Sequence, residues 1–288
     1  MRAAAVVVNH NTRQDLLACL DTLAAAGADE IVVVDSGSND GSAAAVRERH
    51  PDVRVLELDN VGFGRAANAG VAACSAEALI VANADTRFPE GSLRQMAAYL
   101  AAHPHVGALG PLIRFPDGRL QWSARAFPSI GQAMGHAVLG LWRPNNRWTR
   151  AYRLTDWDHQ SEREVDWVSG ACLALRRDAF VEVGGFDPSY FMFVEDVDLC
   201  ARLWEADWSV VFSPVAEVTH AVGASVGARP FKMIVEHARS LGVFFSRRYA
   251  HGWRRVLIPL LRVGLAGWVL LAWTWSALRG RGRTIGHA

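Results

Sequence analysis

The four cysteines, Cys19, Cys74, Cys172 and Cys200, lie too far apart for a C-x-x-C pair or a Cys/His metal cluster. The ten histidines show no H-E-x-x-H spacing, so a zincin-type centre has no ligands. No G-K-[ST] ends a glycine-rich turn and no G-x-G-x-x-G opens a helix, which removes the usual support for ATP and NAD sites. NHNTRQD at 9–15 contains no glycine, against the Gly-rich basic loop that sugar-1-phosphate nucleotidyl transfer would want. No internal repeat is present. Met1 leads into a strand-like run without a basic n-region, which predicts no secretory leader. With cysteines of this kind, a reducing, cytosolic setting and small buried thiols are expected.

The composition is 51% hydrophobic and 20% charged, which excludes disorder. A net charge of +1 conceals an asymmetry. From Val226 onward there are eleven basic residues and one acid, Glu236, a net of +10; the rest holds 19 basic and 28 acidic residues, a net of −9. An acidic body with a basic tail implies an anionic partner for the tail. Within the tail, VGLAGWVLLAWTWSAL at 263–278 is free of charge but, at sixteen residues, short of the roughly 20 that span a bilayer. Arg247, Arg248, Arg254 and Arg255 flank it on one side; Arg279, Arg281 and Arg283 flank it on the other. Trp253, Trp268, Trp273 and Trp275 add interfacial anchors. A helix hairpin or an in-plane helix on an anionic membrane face is expected, with a hairpin packed on the body or on a second subunit as the alternative.

In the first half, AAAVVVN (3–9), EIVVVD (30–35), VRVLEL (53–58) and ALIVAN (78–83) read as strands buried on both faces. Helical patterns at 12–25, 41–49 and 64–74 separate them, which makes an α/β fold with a Rossmann-like, mostly parallel sheet and right-handed crossovers. Ligands bind such sheets outside the C-terminal strand ends. There stand Asn9, His10 and Asn11; Asp35 and Ser36; Asn60; and Asn83 and Asp85, a polar crevice. Further on, 165–180 returns to strand and turn character, 195–204 reads as helix and WSVVFSP (208–214) as strand.

Asp35 closes a strand before the turn SGSNDGS, where a carboxylate can accept hydrogen bonds from a nucleobase or ribose. Helix capping in the same turn falls to Asn39 or Asp40. Asn83 and Asp85, just past a buried strand, could hold Mg²⁺ or Mn²⁺ against a diphosphate, since hard cations take oxygen ligands; an Asp in that place is also a common turn residue.

VVVDSGSNDGS, DNVGFGRAANAG (59–70), NAD (83–85) and GGFDPSYFMFVEDVDLCARL (184–203), in this order and spacing, resemble the inverting family 2 glycosyltransferases. The resemblance covers roughly residues 3–225 and implies the nucleotide-sugar-binding fold called GT-A. GALGPLIRFPDGRLQWSAR (107–125), HAVLGLWRPNNRWTRAYR (136–153) and VDWVSGACL (165–173) look most like an actinobacterial branch. That branch transfers rhamnose from dTDP-rhamnose to a polyprenyl-diphosphate-linked N-acetylglucosamine. The resemblance implies Asn9, Asp35, Asn60, Asn68, Asn83 and Asp85 around the donor; Asp85 and His220 on a divalent metal, Mg²⁺ or Mn²⁺; and Trp167, Gly170 and Glu195 toward the acceptor. Asp196 would be the general base, with Glu195 beside it. Asn83 replaces the first carboxylate of the strict D-x-D pattern with a neutral oxygen donor.

The physical requirements agree with those roles. An acceptor hydroxyl attacking in line must lose its proton, and a positioned carboxylate contributes about 10² to 10⁴-fold. The apolar run Tyr190–Val194 would shield that base from bulk water and raise its proton affinity. Trp167 could stack on a sugar face or serve as core. Asp198 would favour the helix N-terminus. A His after a strand is most often an ordinary hydrogen-bonded residue, so His220 rests on the resemblance alone. The expected organisation is a catalytic domain at 1–225, divided into nucleotide-sugar-binding (1–103) and acceptor (104–225) halves, and a basic, apolar helical extension at 226–288. The expected place is the cytoplasmic face of the plasma membrane, held peripherally. Nucleic acid is not an expected partner, and a homo-oligomer is left open. The rival readings are the same fold with UDP-galactose or UDP-N-acetylglucosamine, and a membrane-docked sugar-binding scaffold, for which a broken motif set would be expected.

Overall fold

The computed structural model describes residues 1–129, 131, 132, 139, 143, 145–221, 230–251 and 253–278. The four expected strands form β1 (Ala3–Asn9), β2 (Glu30–Ser36), β3 (Arg54–Leu58) and β4 (Ala78–Asn83). Between them run α1 (Arg13–Ala26), α2 (Ser42–Arg49) and α3 (Phe63–Ala72). The chain continues through β5 (Thr86–Arg87), α4 (Ser92–Ala102), β6 (Val106–Arg114), β7 (Leu120–Gln121) and β8 (Ala124–Arg125). Then follow α5 (Arg147–Arg153), β9 (Arg163–Glu164), β10 (Trp167–Val168), β11 (Cys172–Arg176) and α6 (Arg177–Glu182). The last elements are α7 (Glu195–Glu205), β12 (Ser209–His220), α8 (Pro230–Arg248) and, after a 3₁₀ turn, α9 (Ile258–Leu278).

The main sheet runs β3-β2-β1-β4-β11-β6-β12-β5, with β7 added to β6 and β9 to β12. β3, β2, β1 and β4 are parallel; β11 lies antiparallel between β4 and β6, and β12 is parallel to β6. Alternate residues of each central strand enter different cores: Ala4 and Val6 of β1 face one cluster, Ala3, Ala5 and Val7 the other. That two-sided burial is why these strands read as unbroken apolar runs. α1 covers one face with Leu16, Cys19, Leu20 and Leu23, at i, i+3, i+4 and i+7. α3 covers the other, and Gly70 lets it rest directly on the sheet, where a Cβ would collide with Val6 and Val34. All four cysteines are free and buried, and burial pushes the Cys19 and Cys200 thiols up to about 12.

Two elements differ from their expected extent. The strand read as ending at 214 continues to His220, with register shifts between Phe212 and Glu217, and so carries His220 alongside Thr86. The tail helix α9 is 21 residues rather than sixteen, because a helix passes through Arg262 without interruption and tolerates Pro259 in its first turn. The stretch Arg255–Thr274, which begins in the 3₁₀ turn before α9 and has mean hydropathy 1.9, is by length and composition long and apolar enough to cross a membrane, which corrects the expectation that it is too short. α8 and α9 pack as an antiparallel hairpin: Phe231 meets Trp273 with ring centroids 5.8 Å apart, and His237 meets Trp268 at 5.9 Å. Leu260, Val263 and Leu270 are left exposed. Arg279, Arg281 and Arg283 lie outside the described residues.

Candidate active site

At the C-terminal ends of the parallel strands Asn9 sits beside Asp35, and Val8 beside Asn83. Asp35 is 3% exposed; its Oδ1 accepts from the Ser38 backbone N–H at 2.8 Å and its Oδ2 from Asn9 Nδ2 at 3.2 Å. Asn9 is buried, and its amide is fully engaged, donating also to Ser38 Oγ and accepting from the Thr12 hydroxyl at 2.6 Å. Asn9 is therefore a strut that aims Asp35. Exposed Asn60 forms the rim, its Nδ2 3.4 Å from His10 Nε2, while His10 Nδ1 donates to the Ser36 carbonyl at 2.7 Å. Asp40, one of the two expected caps, accepts from the Arg13 and Ser42 backbone N–H groups and so ties the starts of α1 and α2 together.

The second cluster joins Asn83, Asp85 and His220, which β5–β12 pairing brings together. His220 Nε2 lies 3.0 Å from Asp85 Oδ1 and 3.1 Å from Asn83 Nδ2, and its Nδ1 faces Gln121 Oε1 at 3.1 Å. A carbonyl oxygen on Nδ1 calls for the proton there, which leaves the Nε2 lone pair pointing at the Asp85 carboxylate. Two lone-pair donors at that separation suit a shared cation, and a carboxylate with an oriented imidazole is an acceptable donor set for a divalent ion. Among the described residues no group of three His, Cys, Asp or Glu side chains forms a metal site, because the first carboxylate position is Asn83.

The third part is the turn leading into α7. The Gly-rich motif after β3 holds it: Phe63 N–H donates to the Phe191 carbonyl at 3.0 Å, and Arg65 Nε to the Pro188 carbonyl at 2.9 Å. Asn68 donates to the Phe186 carbonyl at 2.7 Å and accepts from the Phe186 N–H at 2.9 Å. Gly62, at φ 87°, approaches the Phe191 backbone so closely that a Cβ would overlap it. Asn68 thus clamps the turn that leads into α7, with its amide engaged there. Phe193 and Val194 both adopt φ near +67°, a conformation that costs a β-branched residue on the order of 1–3 kcal/mol. The surrounding contacts impose that strain immediately before the two carboxylates.

Glu195 and Asp196 diverge from the start of α7. Glu195 is 7% exposed, lies close to Gly64 and leaves Oε2 without a hydrogen bond. Burial first, and the Asp196 charge second, raise its carboxyl above the ordinary range. Half-buried Asp196 accepts from the Gly170 backbone N–H at 2.9 Å on Oδ2 and from Val197 N–H at 2.8 Å on Oδ1. Burial raises its carboxyl too, opposed by those two hydrogen bonds and by the Arg125 charge. Asp198 does more than favour the helix start: it is buried, accepts from the Tyr190 hydroxyl at 3.0 Å and from Arg202 Nε at 2.8 Å, and lies 3.8 Å from Arg247 of α8.

The Asp196 carboxylate and the Asp85–His220 pair are linked through one peptide. The Ala171 carbonyl accepts from the Asn83 N–H and the Thr86 hydroxyl, each at 3.1 Å, and Ala171 follows Gly170. Trp167 is 5% exposed, with Nε1 bonded to the Ala126 carbonyl and one face under the Arg125 guanidinium. It packs as a core residue, one of the two readings its sequence allowed. Gln121 and Arg125 are the residues sequence reasoning missed beside these clusters; no local spacing signals them.

The family described as "Glycosyl transferase family 2" matches residues 4–184. The chain is 42% identical over 248 residues to the N-acetylglucosaminyl-diphospho-decaprenol L-rhamnosyltransferase of Mycobacterium tuberculosis, covering 82% of this chain and 80% of that one. A mannosyltransferase of Pyrobaculum calidifontis in complex with GDP-Man and Mn²⁺ superposes with TM-score 0.60 at 20% identity, covering 97% of this chain and 76% of that one. GalNAc-T7 with UDP, GalNAc and Mn²⁺ superposes with TM-score 0.58 at 15% identity, covering 98% and 58%. These solved structures share the fold.

Proposed function

The chain belongs to glycosyl transferase family 2, and from that premise we propose that it transfers L-rhamnose from dTDP-rhamnose, with inversion, to a polyprenyl-diphosphate-linked N-acetylglucosamine. It is a glycosyltransferase; the donor and the acceptor are the proposal. The observation that carries it is the 42% identity with the mycobacterial rhamnosyltransferase across four-fifths of both chains.

Asp35, held by Asn9 and Ser38, offers a buried carboxylate to the nucleotide end of the donor, and His10 and Asn60 border that end. Asp85 and His220 are the residues that would hold a divalent ion, and Mn²⁺ is the preferred candidate because the two solved neighbours contain it. Such an ion, when bound, offsets the charge that grows on a departing diphosphate. Asp196 removes the proton of the attacking hydroxyl. Gly170 and Val197 each occupy one lone pair of its carboxylate, which fixes its orientation and leaves a lone pair free for that proton. Phe193 and Val194 stand at the same mouth and keep bulk water from the base.

The α8–α9 hairpin supports association with an anionic membrane face, where a polyprenyl acceptor resides. Its exposed Leu260, Val263 and Leu270 would enter the interface, with Arg247, Arg248 and Arg255 beside it. The test is a donor panel of dTDP-rhamnose, UDP-galactose and UDP-N-acetylglucosamine with a farnesyl-diphosphate-linked N-acetylglucosamine acceptor and Mn²⁺. Rhamnosyl transfer at least tenfold above the others is expected; preferred use of a UDP-sugar would overturn the donor assignment.

A further inference from the structure

Arg125 and Arg153 are neighbouring guanidinium groups, and neither makes an ion pair with a carboxylate among the described residues. Arg125, at the end of β8, donates Nε to the Trp122 carbonyl and lies over the Tyr152 and Trp167 rings at 5.5 and 5.2 Å. Arg153, at the end of α5, buries its Nε with no hydrogen-bond partner. Burial, and then the nearby Arg125 charge, pull Arg153 down to about 10. The Arg125 charge also reaches Asp196 and His237. These four groups therefore share one neighbourhood, in which two like charges are held together and one is partly desolvated. An anion between them would offset that cost and satisfy the orphaned Nε.

The neighbourhood lies between the tail hairpin and the base. His237 stands on α8, its ring 5.2 Å from Phe193 of the catalytic turn and 5.9 Å from Trp268 of α9. His237 thus joins α9 to the turn before Asp196, and the Arg125 charge acts on both His237 and Asp196. A lipid-linked sugar carries, in turn, an apolar chain, a diphosphate and a hydroxyl-bearing ring. Arginine forks match phosphate oxygens in bidentate geometry, which an ammonium does not. We propose that Arg125 and Arg153 form the subsite that binds the diphosphate of the acceptor, placing its sugar hydroxyl at Asp196. This inference rests on the reading of a diphosphate-linked lipid acceptor.

The test compares two acceptors, farnesyl-diphosphate-linked N-acetylglucosamine and octyl N-acetylglucosaminide, in full-length wild type, R125Q, R153Q and the double variant. Wild type should prefer the diphosphate acceptor. Each glutamine variant should raise KM for it about tenfold, the double variant about a hundredfold, so that the preference collapses. R125K and R153K should recover part of it, and they read the same ratio should a glutamine variant not fold. Affinity for dTDP by calorimetry and binding to anionic vesicles should both stay at wild-type levels. Retention of the full preference in the double variant overturns the subsite. A parallel loss of dTDP affinity would reassign the arginines to the donor diphosphate, and a parallel loss of vesicle binding would reassign them to lipid headgroups; either overturns the proposal. If wild type shows no preference, the diphosphate-linked acceptor itself is wrong and the subsite falls with it.

Discussion

Gly170 donates its backbone N–H to Asp196 Oδ2 across 2.9 Å, and this bond fixes the Asp196 carboxylate relative to the sheet edge that carries Asn83 and Asp85. A Cβ added at Gly170 would stand 3.5 Å from both Cβ and Oδ2 of Asp196, an ordinary contact that the fold accommodates. With Asp196 as the proposed base, that Cβ would also crowd the carboxylate oxygen that an acceptor hydroxyl has to reach. Gly170→Ala should therefore fold normally, keep its dTDP affinity and lose roughly tenfold in kcat/KM for the acceptor. Steady-state kinetics with dTDP titration checks the split; a loss of nucleotide affinity instead would mean that Gly170 shapes the donor site.

Glu195 gives a pH-dependent signature. Its folded carboxyl holds its proton above the ordinary value of 4.5, so the native state binds more protons than the unfolded chain over that window. Stability then falls as pH rises from the unfolded value through the folded one. Glu195→Gln removes that fall. The stability difference, variant minus wild type, should grow between pH 5 and pH 8 in urea unfolding; a flat difference would place the Glu195 carboxyl at its ordinary value.

The raised Asp196 carboxyl should likewise set the acid limb of kcat/KM above the range of an exposed aspartate.

Asp85 and His220 should act together on nucleotide affinity only when metal is present. In wild type, Mn²⁺ should strengthen dTDP binding over an EDTA control, and Asp85→Ala should remove most of that gain, at least tenfold. His220→Ala should lower it in the same direction. An undiminished Mn²⁺ effect in Asp85→Ala would remove Asp85 as a ligand.

For the tail, replacing Leu260, Val263 and Leu270 by serine changes residues 70, 72 and 64% exposed, so the melting temperature should barely move. Sedimentation with anionic vesicles should weaken roughly tenfold or more, since burying one such side chain is worth about 1.5–3 kcal/mol. Unchanged vesicle binding would assign the hairpin another partner.

The sheet was legible because β1, β2 and β4 are buried on both faces and bounded by polar strand ends, a pattern carried within seven residues. The pairing of Asp85 with His220 was visible only through family resemblance: it depends on a two-residue strand meeting the end of a twelve-residue one. The clamp made by Asn68 was invisible in sequence because its partner, Phe186, lies more than a hundred positions away. Trp167 could not be separated from a sugar platform, since a core indole and a stacking indole have the same sequence surroundings. Arg125 and Arg153 gave no signal, because what distinguishes them is their nearness to one another in space and the unpartnered Arg153 Nε.

The central claim is that Asp196 takes the proton of the acceptor hydroxyl. Single-turnover transfer by Asp196→Asn, with dTDP-rhamnose, Mn²⁺ and the farnesyl-diphosphate acceptor, tests it most directly. The account predicts a loss of about 10² to 10⁴-fold in the transfer rate with dTDP affinity unchanged. Transfer within a few-fold of wild type would contradict it.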